Sequence, residues 1–178
     1  MSDVRLVETR QLSARQLGAL RLLLDEAFAT DFTGDDWQHA LGGWHAIIEA
    51  PDRLVAHASV VERRLVVDGR EFRTGYVEAA AVTPNLQRTG LGTTVMTVIS
   101  DLVRHQFDLG GLSTGEWAFY QRLGWERWQG PTYVRTADGR LRRTPDEDDA
   151  VMVLRCAPTR DLNLKASIAC DERTGDSW

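Results

Sequence analysis

The 178-residue chain is long enough for one domain with a sizeable core, because 43% of its residues are hydrophobic. Its formal net charge of −5 argues against a nucleic-acid partner. Neither a membrane-spanning apolar run nor a secretory leader is expected. Two cysteines (Cys156, Cys170) and four histidines (His39, His45, His57, His105) fall in no metal-ligand spacing, so no metal is expected. The cysteine usage fits a reducing cytoplasm, and each histidine reads as a surface or helix residue.

In chain order, Val4 to Glu8 alternates as a short strand. Ser13 caps a helix whose apolar face is Leu17, Leu20, Leu24, Ala27 and Phe28, ending near Thr30. A loop follows, and Asp35 or Asp36 caps a second helix through Trp37, Ala40 and Leu41, broken by Gly42-Gly43. Arg53 to Val61 and Arg63 to Val67 read as two strands. Asp68-Gly69 turns the chain back into a strand from Glu71 to Val82. Thr83-Pro84-Asn85 stops that strand, Gly90 and Gly92 follow, and Leu91, Val95, Val98, Ile99, Leu102 and Val103 recur at helical spacing. Leu109 to Ser113 is a short buried strand parallel to the one carrying Glu78, because a long helix crosses between them. Trp117 to Leu123 is a short helix closed by Gly124. Trp125 to Trp128, Thr132 to Thr136 and Val151 to Leu154 are strands, with a hairpin at Asp138-Gly139 and an acidic turn from Thr144 to Asp149. The tail to Trp178 carries no assigned element. The order predicts an α+β fold around one mixed, mostly antiparallel sheet, with a single domain over 1–178. The sheet is expected to splay where the Glu78 and Leu112 strands part, leaving room for a ligand.

The strand, turn, glycine loop and helix from Tyr76 to Val103 have a physical use. The first amides of a helix lack internal partners, and the helix dipole adds positive charge there. Small residues let an anion approach, and Arg88 adds a mobile charge, so the loop reads as a phosphate cradle. A Walker loop needs Gly-Lys-Ser/Thr, but Thr93-Thr94 follows Gly92. A dinucleotide fingerprint needs a third glycine where Val95 stands. What remains is Gln87-x-x-Gly90-x-Gly92 behind a strand with one acid, Glu78. The plainer alternative is a glycine turn opening an ordinary amphipathic helix.

This pattern resembles the pyrophosphate loop of the GNAT superfamily of N-acetyltransferases. Further along, Asp31-Phe32-Thr33, Asp36-Trp37, Leu41-Gly42-Gly43, Gly75-Tyr76-Val77-Glu78, Tyr120 with Gly124-Trp125, Gly130-Pro131-Thr132, Thr144-Pro145-Asp146 and Gly175-Asp176-x-Trp178 occur in an order similar to that of the aminoglycoside 2′-N-acetyltransferases. The resemblance spans about Asp25 to Trp178. It implies a GNAT-like sheet with helices on both faces and acetyl-CoA as cosubstrate. The implied contacts with acetyl-CoA are Ala80, Ala81, Val82, Gln87, Arg88, Thr89, Gly90, Leu91, Gly92 and Thr93. It also implies direct transfer in a ternary complex to the 2′-amine of an aminoglycoside, in a resistance-type, cytoplasmic, homodimeric enzyme.

The chemistry needs a neutral amine, an oxyanion donor and a proton for the departing thiolate. Under the resemblance Glu78 binds the aminosugar and acts as base through a water, and Tyr120 is the acid. A phenol with a pKa near ~10 is still protonated when needed. The Val82 amide is the oxyanion donor, in a stretch that holds the pantetheine arm like an added strand. A polycationic substrate calls for acids on several sides, because each exposed pair contributes only ~0.2–1 kcal/mol. The candidates are Asp31, Asp36, Glu78, Asp146, Glu147, Asp148, Asp176 and the Trp178 carboxylate, with Ala79 and Ser113 beside them and the Trp178 indole as a wall. Each has a plainer reading: an ion-paired strand glutamate, a core tyrosine, a strand-end serine, solvated acidic turns, a helix cap. The alternative functions are acetylation of another cationic amine, or a non-catalytic acetyl-CoA-binding module.

Overall fold

The computed structural model describes residues 3–178. Its elements are β1 (Val4–Glu8), α1 (Ala14–Phe28), α2 (Gly34–His39), β2 (Trp44–Glu49), β3 (Leu54–Val67), β4 (Arg70–Val82), α3 (Leu91–Gln106), β5 (Leu109–Ser113), α4 (Trp117–Gln121), β6 (Glu126–Arg127), β7 (Thr132–Arg135), β8 (Leu141–Arg143), β9 (Val151–Arg155) and β10 (Ile168–Asp171). The fold is α+β, with mixed and mostly antiparallel strands. The chain divides into two compact units: the residues up to Val61 with Val77–Asp101, and Glu62–Tyr76 with Leu102–Trp178. Among the described residues no helix is long and apolar enough to cross a membrane.

In the first unit α1 starts as expected. The Ser13 hydroxyl accepts from the Gln16 amide, and the Gln16 side chain reaches back to the Ser13 amide at 3.1 Å. The cap of α2 is a correction: it is Thr33, not Asp35 or Asp36. Asp36 instead closes the box, accepting from the Thr33 amide at 2.8 Å. After Gly42 and Gly43 comes β2, a strand the sequence reading passed over. His45, Ala46, Ile47 and Ile48 are all buried, so the stretch shows no alternation from which a strand could be read. β2 pairs antiparallel with β1 and with β3, from Trp44↔Val60 to Glu49↔Leu54. β3 is also one unbroken strand, where two were expected. Leu12, Leu20, Leu23, Leu24, Ile47, Leu54 and Ala81 form the core, with Trp37 and Ala79 packed on it. Each fully buried leucine there contributes about 1.5–3 kcal/mol. The two histidines of β2 and β3 are corrections as well: His45 and His57 are 0% exposed.

In the second unit the start of β4 pairs parallel with β5, from Thr74↔Leu109 to Tyr76↔Gly111. The parallel ladder ends there, although β5 runs on to Ser113. Close packing explains Gly110: an added Cβ would stand 2.8 Å from Leu154 and 2.9 Å from Trp125. β9 pairs antiparallel with β5, and β6 with β9. The tail holds β10, antiparallel to the end of β3 and parallel to β7. That strand escaped the sequence reading because Ile168–Asp171 is only four residues long, in a stretch without turn signals.

Candidate functional site

The acid-bearing end of β4 and the cradle lie in the first unit. β4 carries Glu78, half-buried, followed by Ala79 at φ 49, a left-handed conformation that costs a residue with a Cβ about 1–2 kcal/mol. Two side chains of β3 hold this stretch. The Ser59 hydroxyl donates to the Glu78 carbonyl at 3.0 Å, and His57 Nδ1 lies 2.8 Å from the Ala79 carbonyl oxygen. The small side chains of Ala80 and Ala81 leave little bulk along the strand that leads to Val82, and the Gln87 side-chain amide reaches the Val82 carbonyl at 3.4 Å.

A short 3-10 turn, Pro84–Leu86, then leads into the loop. Arg88 and Gly90 both have positive φ, 61 and 95, the left-handed backbone from which anion-binding nests are built. The Thr89 hydroxyl pins the loop to the Leu86 carbonyl at 2.6 Å. Thr94 closes the first turn of α3 on the Gly90 carbonyl at 3.0 Å. The amides of Leu91, Gly92 and Thr93 precede that bond and point out of the helix start. Arg88 is exposed beside them. This donor set fits a pyrophosphate: bare amides, the positive end of a 16-residue helix and one mobile cation.

Of the acids expected around a substrate, Asp31 is exposed in the turn after α1. Asp36 is engaged in its cap. Phe28 and Phe32 stack at 5.7 Å in the same segment, with the Arg21 guanidinium over Phe32 and Trp37.

The second unit holds the other predicted residues. Tyr120 lies on α4, edge-on to Phe119 at 4.9 Å and to Trp125 at 6.4 Å. Burial, helped by the nearby charge of Glu116, pushes its phenol up to about 12, so it stays protonated through neutral pH. Ser113, at the end of β5, donates to Glu147 at 3.1 Å. Glu147 is raised above the ordinary carboxylate range by burial, with Asp176 and Asp146 adding repulsion and the Ser113 hydrogen bond opposing it. The structure therefore gathers Ser113, Asp146, Glu147 and Asp176 into one acidic cluster.

Asp148 does not join that cluster. Its carboxylate takes the Arg143 guanidinium at 2.7 Å and the Thr132 amide at 3.0 Å, and Arg143 holds its carboxyl down to about 2. Trp178 is 4% exposed, with its indole N–H donating to Thr144 at 3.2 Å and its amide to Asp176 at 3.1 Å. Its indole is an internal wall rather than an open one. Among the described residues no group of three His, Cys, Asp or Glu side chains could hold a metal ion.

The sequence reading gave no site role to Thr9, His45, His57 or Ser59; in the structure Thr9, His45 and His57 form a largely buried polar chain that ends on the Ala79 carbonyl, and Ser59 separately holds the Glu78 carbonyl. A signal was available: polar side chains among alanine and isoleucine in strands, which must find partners when buried.

Comparison with known proteins agrees with this geometry. The family model described as an acetyltransferase (GNAT) domain matches residues 8–128. The chain is 42% identical over 182 aligned residues to the aminoglycoside 2′-N-acetyltransferase of Mycolicibacterium fortuitum, covering 100% of this chain and 93% of that protein. Among solved structures, the GNAT family N-acetyltransferase YhbS of Escherichia coli in complex with CoA superposes with a TM-score of 0.69 at 16% identity, over 98% of this chain and 93% of that one. The GCN5-related N-acetyltransferase of Kribbella flavida matches with a TM-score of 0.59 at 21% identity, over 73% of this chain but only 34% of that one, so the present chain spans about a third of it. The structural likenesses speak to the fold, and the whole-length identity speaks to the family. The chain belongs to the GNAT superfamily and, within it, to the family of the aminoglycoside 2′-N-acetyltransferases.

Proposed function

We propose that the protein moves acetyl from acetyl-CoA to the 2′-amine of an aminoglycoside, directly and in a ternary complex. The observation that carries the reading is the cradle of bare amides behind the Glu78 strand, in a chain 42% identical over its whole length to an enzyme of that name. The amides of Leu91, Gly92 and Thr93, with Arg88, bind the pyrophosphate, and the backbone of Ala80–Val82 lies along the pantetheine arm. When bound, acetyl-CoA supplies the thioester. Glu78 accepts the proton of the substrate ammonium through a water, which leaves a neutral nucleophile. The Val82 amide donates to the thioester oxygen as the C–N bond forms and the C–S bond breaks. Tyr120, still a neutral phenol, gives its proton to the departing thiolate. The cluster of Asp146, Glu147 and Asp176 suits the remaining ammonium groups.

The proposal takes the whole chain as a single acetyltransferase domain, acting as a cytoplasmic homodimer without a metal. The family match runs through parts of both compact units, and two buried thiols, Cys156 and Cys170, suit a reducing compartment.

The test is release of free CoA thiol. Tobramycin, with a 2′-amine, should turn over, and kanamycin A, with a hydroxyl there, should be a far poorer substrate. Equal rates would defeat the regiochemistry. Glu78→Gln should lower kcat by about 10²-fold while CoA still binds.

A further inference from the structure

The buried polar chain beneath Glu78 has a direction that its geometry and burial together fix. His57 Nδ1 lies 2.8 Å from the Ala79 carbonyl, which can only accept, so Nδ1 carries the hydrogen. Both rings are fully buried, and burial pushes His45 down to about 4 and His57 to about 3, so each is neutral, with one donor and one acceptor nitrogen. His57 Nε2 must then accept, and the nitrogen facing it at 2.9 Å, His45 Nδ1, must donate. That leaves His45 Nε2 as an acceptor for the Thr9 hydroxyl at 2.7 Å. Thr9 Oγ1 in turn accepts from the Gly42 amide at 2.8 Å. Every hydrogen points the same way, from a backbone amide at the start of the chain to a backbone carbonyl at its end.

The last link is the informative one. Ala79 is the residue of β4 with a left-handed φ of 49, directly after Glu78 and directly before the Ala80–Val82 amides. A non-glycine residue persists there only when its surroundings hold it. The chain ends on a carbonyl, which has no proton to pass on, so it carries orientation rather than protons.

We propose that His57, oriented by His45 and Thr9, is a positioning residue for acetyl transfer: its N–H fixes the Ala79 carbonyl and so holds the left-handed backbone there that aims Glu78 and the amides of Ala80–Val82. The inference rests on the function proposed above for those groups. His57 touches neither substrate nor thioester.

Three measurements on the full-length protein test it. His57→Leu removes the donor, while His57→Asn keeps an N–H near the place of Nδ1. The Leu variant should lose about tenfold or more in kcat, with its dissociation constant for CoA changed by less than about threefold, and the Asn variant should recover most of the loss. A Leu variant as fast as the wild type overturns the proposal. So does a loss that the Asn variant does not recover and that follows a fall in thermal midpoint and in CoA binding, which is a structural role alone. Imidazole nitrogen NMR of the wild-type protein needs no variant to fold. Hydrogen on Nδ1 of both His45 and His57 supports the chain, and hydrogen on Nε2 of either one breaks it. Glu78→Gln assayed in parallel separates the two readings. Unchanged turnover there removes Glu78 as base, whereas the His57 variants still report whether the Ala79 backbone limits the rate through the Ala80–Val82 amides.

Discussion

The Ser113 hydroxyl and the Glu147 carboxylate are joined at 3.1 Å, which ties the end of β5 to the acidic turn. Glu147 is held above the usual carboxylate range by burial and by the charges of Asp176 and Asp146. A cation docked there relieves that repulsion. Glu147→Gln should therefore raise the KM for tobramycin by about threefold to tenfold and leave the KM for acetyl-CoA unchanged. A carboxyl with a raised pKa takes up its proton earlier as pH falls, so the wild-type KM should climb in mild acid before ordinary carboxylates titrate. That climb should be missing in the variant. An identical KM in both proteins would remove Glu147 from the substrate site.

Gly90 gives a test of the cradle. Its φ of 95 is one that residues with a Cβ avoid, yet nothing lies within 4 Å of an added Cβ. Gly90→Ala should therefore act through the backbone alone, at a cost of about 1–2 kcal/mol. If the loop twists to relieve the strain, the amides of Leu91 to Thr93 lose their common direction. The expected result is a KM for acetyl-CoA raised about tenfold with little change in the KM for tobramycin. Unaltered acetyl-CoA kinetics would place the pyrophosphate elsewhere.

How much of this was legible beforehand depends on where the signal sits along the chain. The cradle was readable because its parts are contiguous: β4, the turn at Pro84, Gly90 and the apolar stripe of α3. The parallel partner β5 followed from the helix between the two strands. β2 was not readable because both its faces are buried, which erases the period-two pattern. β10 was missed for a different reason, being four residues in an irregular tail that is held by pairing with β3 and β7. Asp148 shows the limit for site residues. Composition grouped it with Asp146 and Glu147, but only the fold brings Arg143 and Thr132 against it. The histidine chain failed likewise, since His45 and His57 are twelve residues apart and meet only when β2 pairs with β3.

Asp148 therefore belongs to stability more than to binding. Its carboxylate is shared between Arg143 and Thr132, the latter through both amide and hydroxyl. Asp148→Asn leaves Arg143 without its charge partner and should lower the thermal midpoint by a few degrees while the KM for tobramycin stays at the wild-type value. Because its pKa is depressed to about 2, its contribution is complete above the unfolded value near 3.8 and is lost as pH falls toward 2. A KM that rises with no loss of stability would return Asp148 to the substrate site.

The histidine pair sets the behaviour in weaker acid. In the unfolded chain both imidazoles titrate near 6.5, whereas in the fold burial holds His45 to about 4 and His57 to about 3. Between those limits the unfolded state binds more protons than the native state, so stability rises with pH. The contribution is complete above pH 6.5 and is lost progressively as pH falls toward 4 and then 3. Denaturant midpoints measured across this window should fall with a slope approaching two protons taken up on unfolding, one for each ring. His57→Asn removes one titrating group and should reduce the slope by about one proton. A wild-type slope of only about one proton between pH 6.5 and 4 would mean that one ring is already charged in the fold, and a flat midpoint that both are. The one-directional chain from Thr9 to Ala79 could not then exist, because an imidazolium has no acceptor nitrogen.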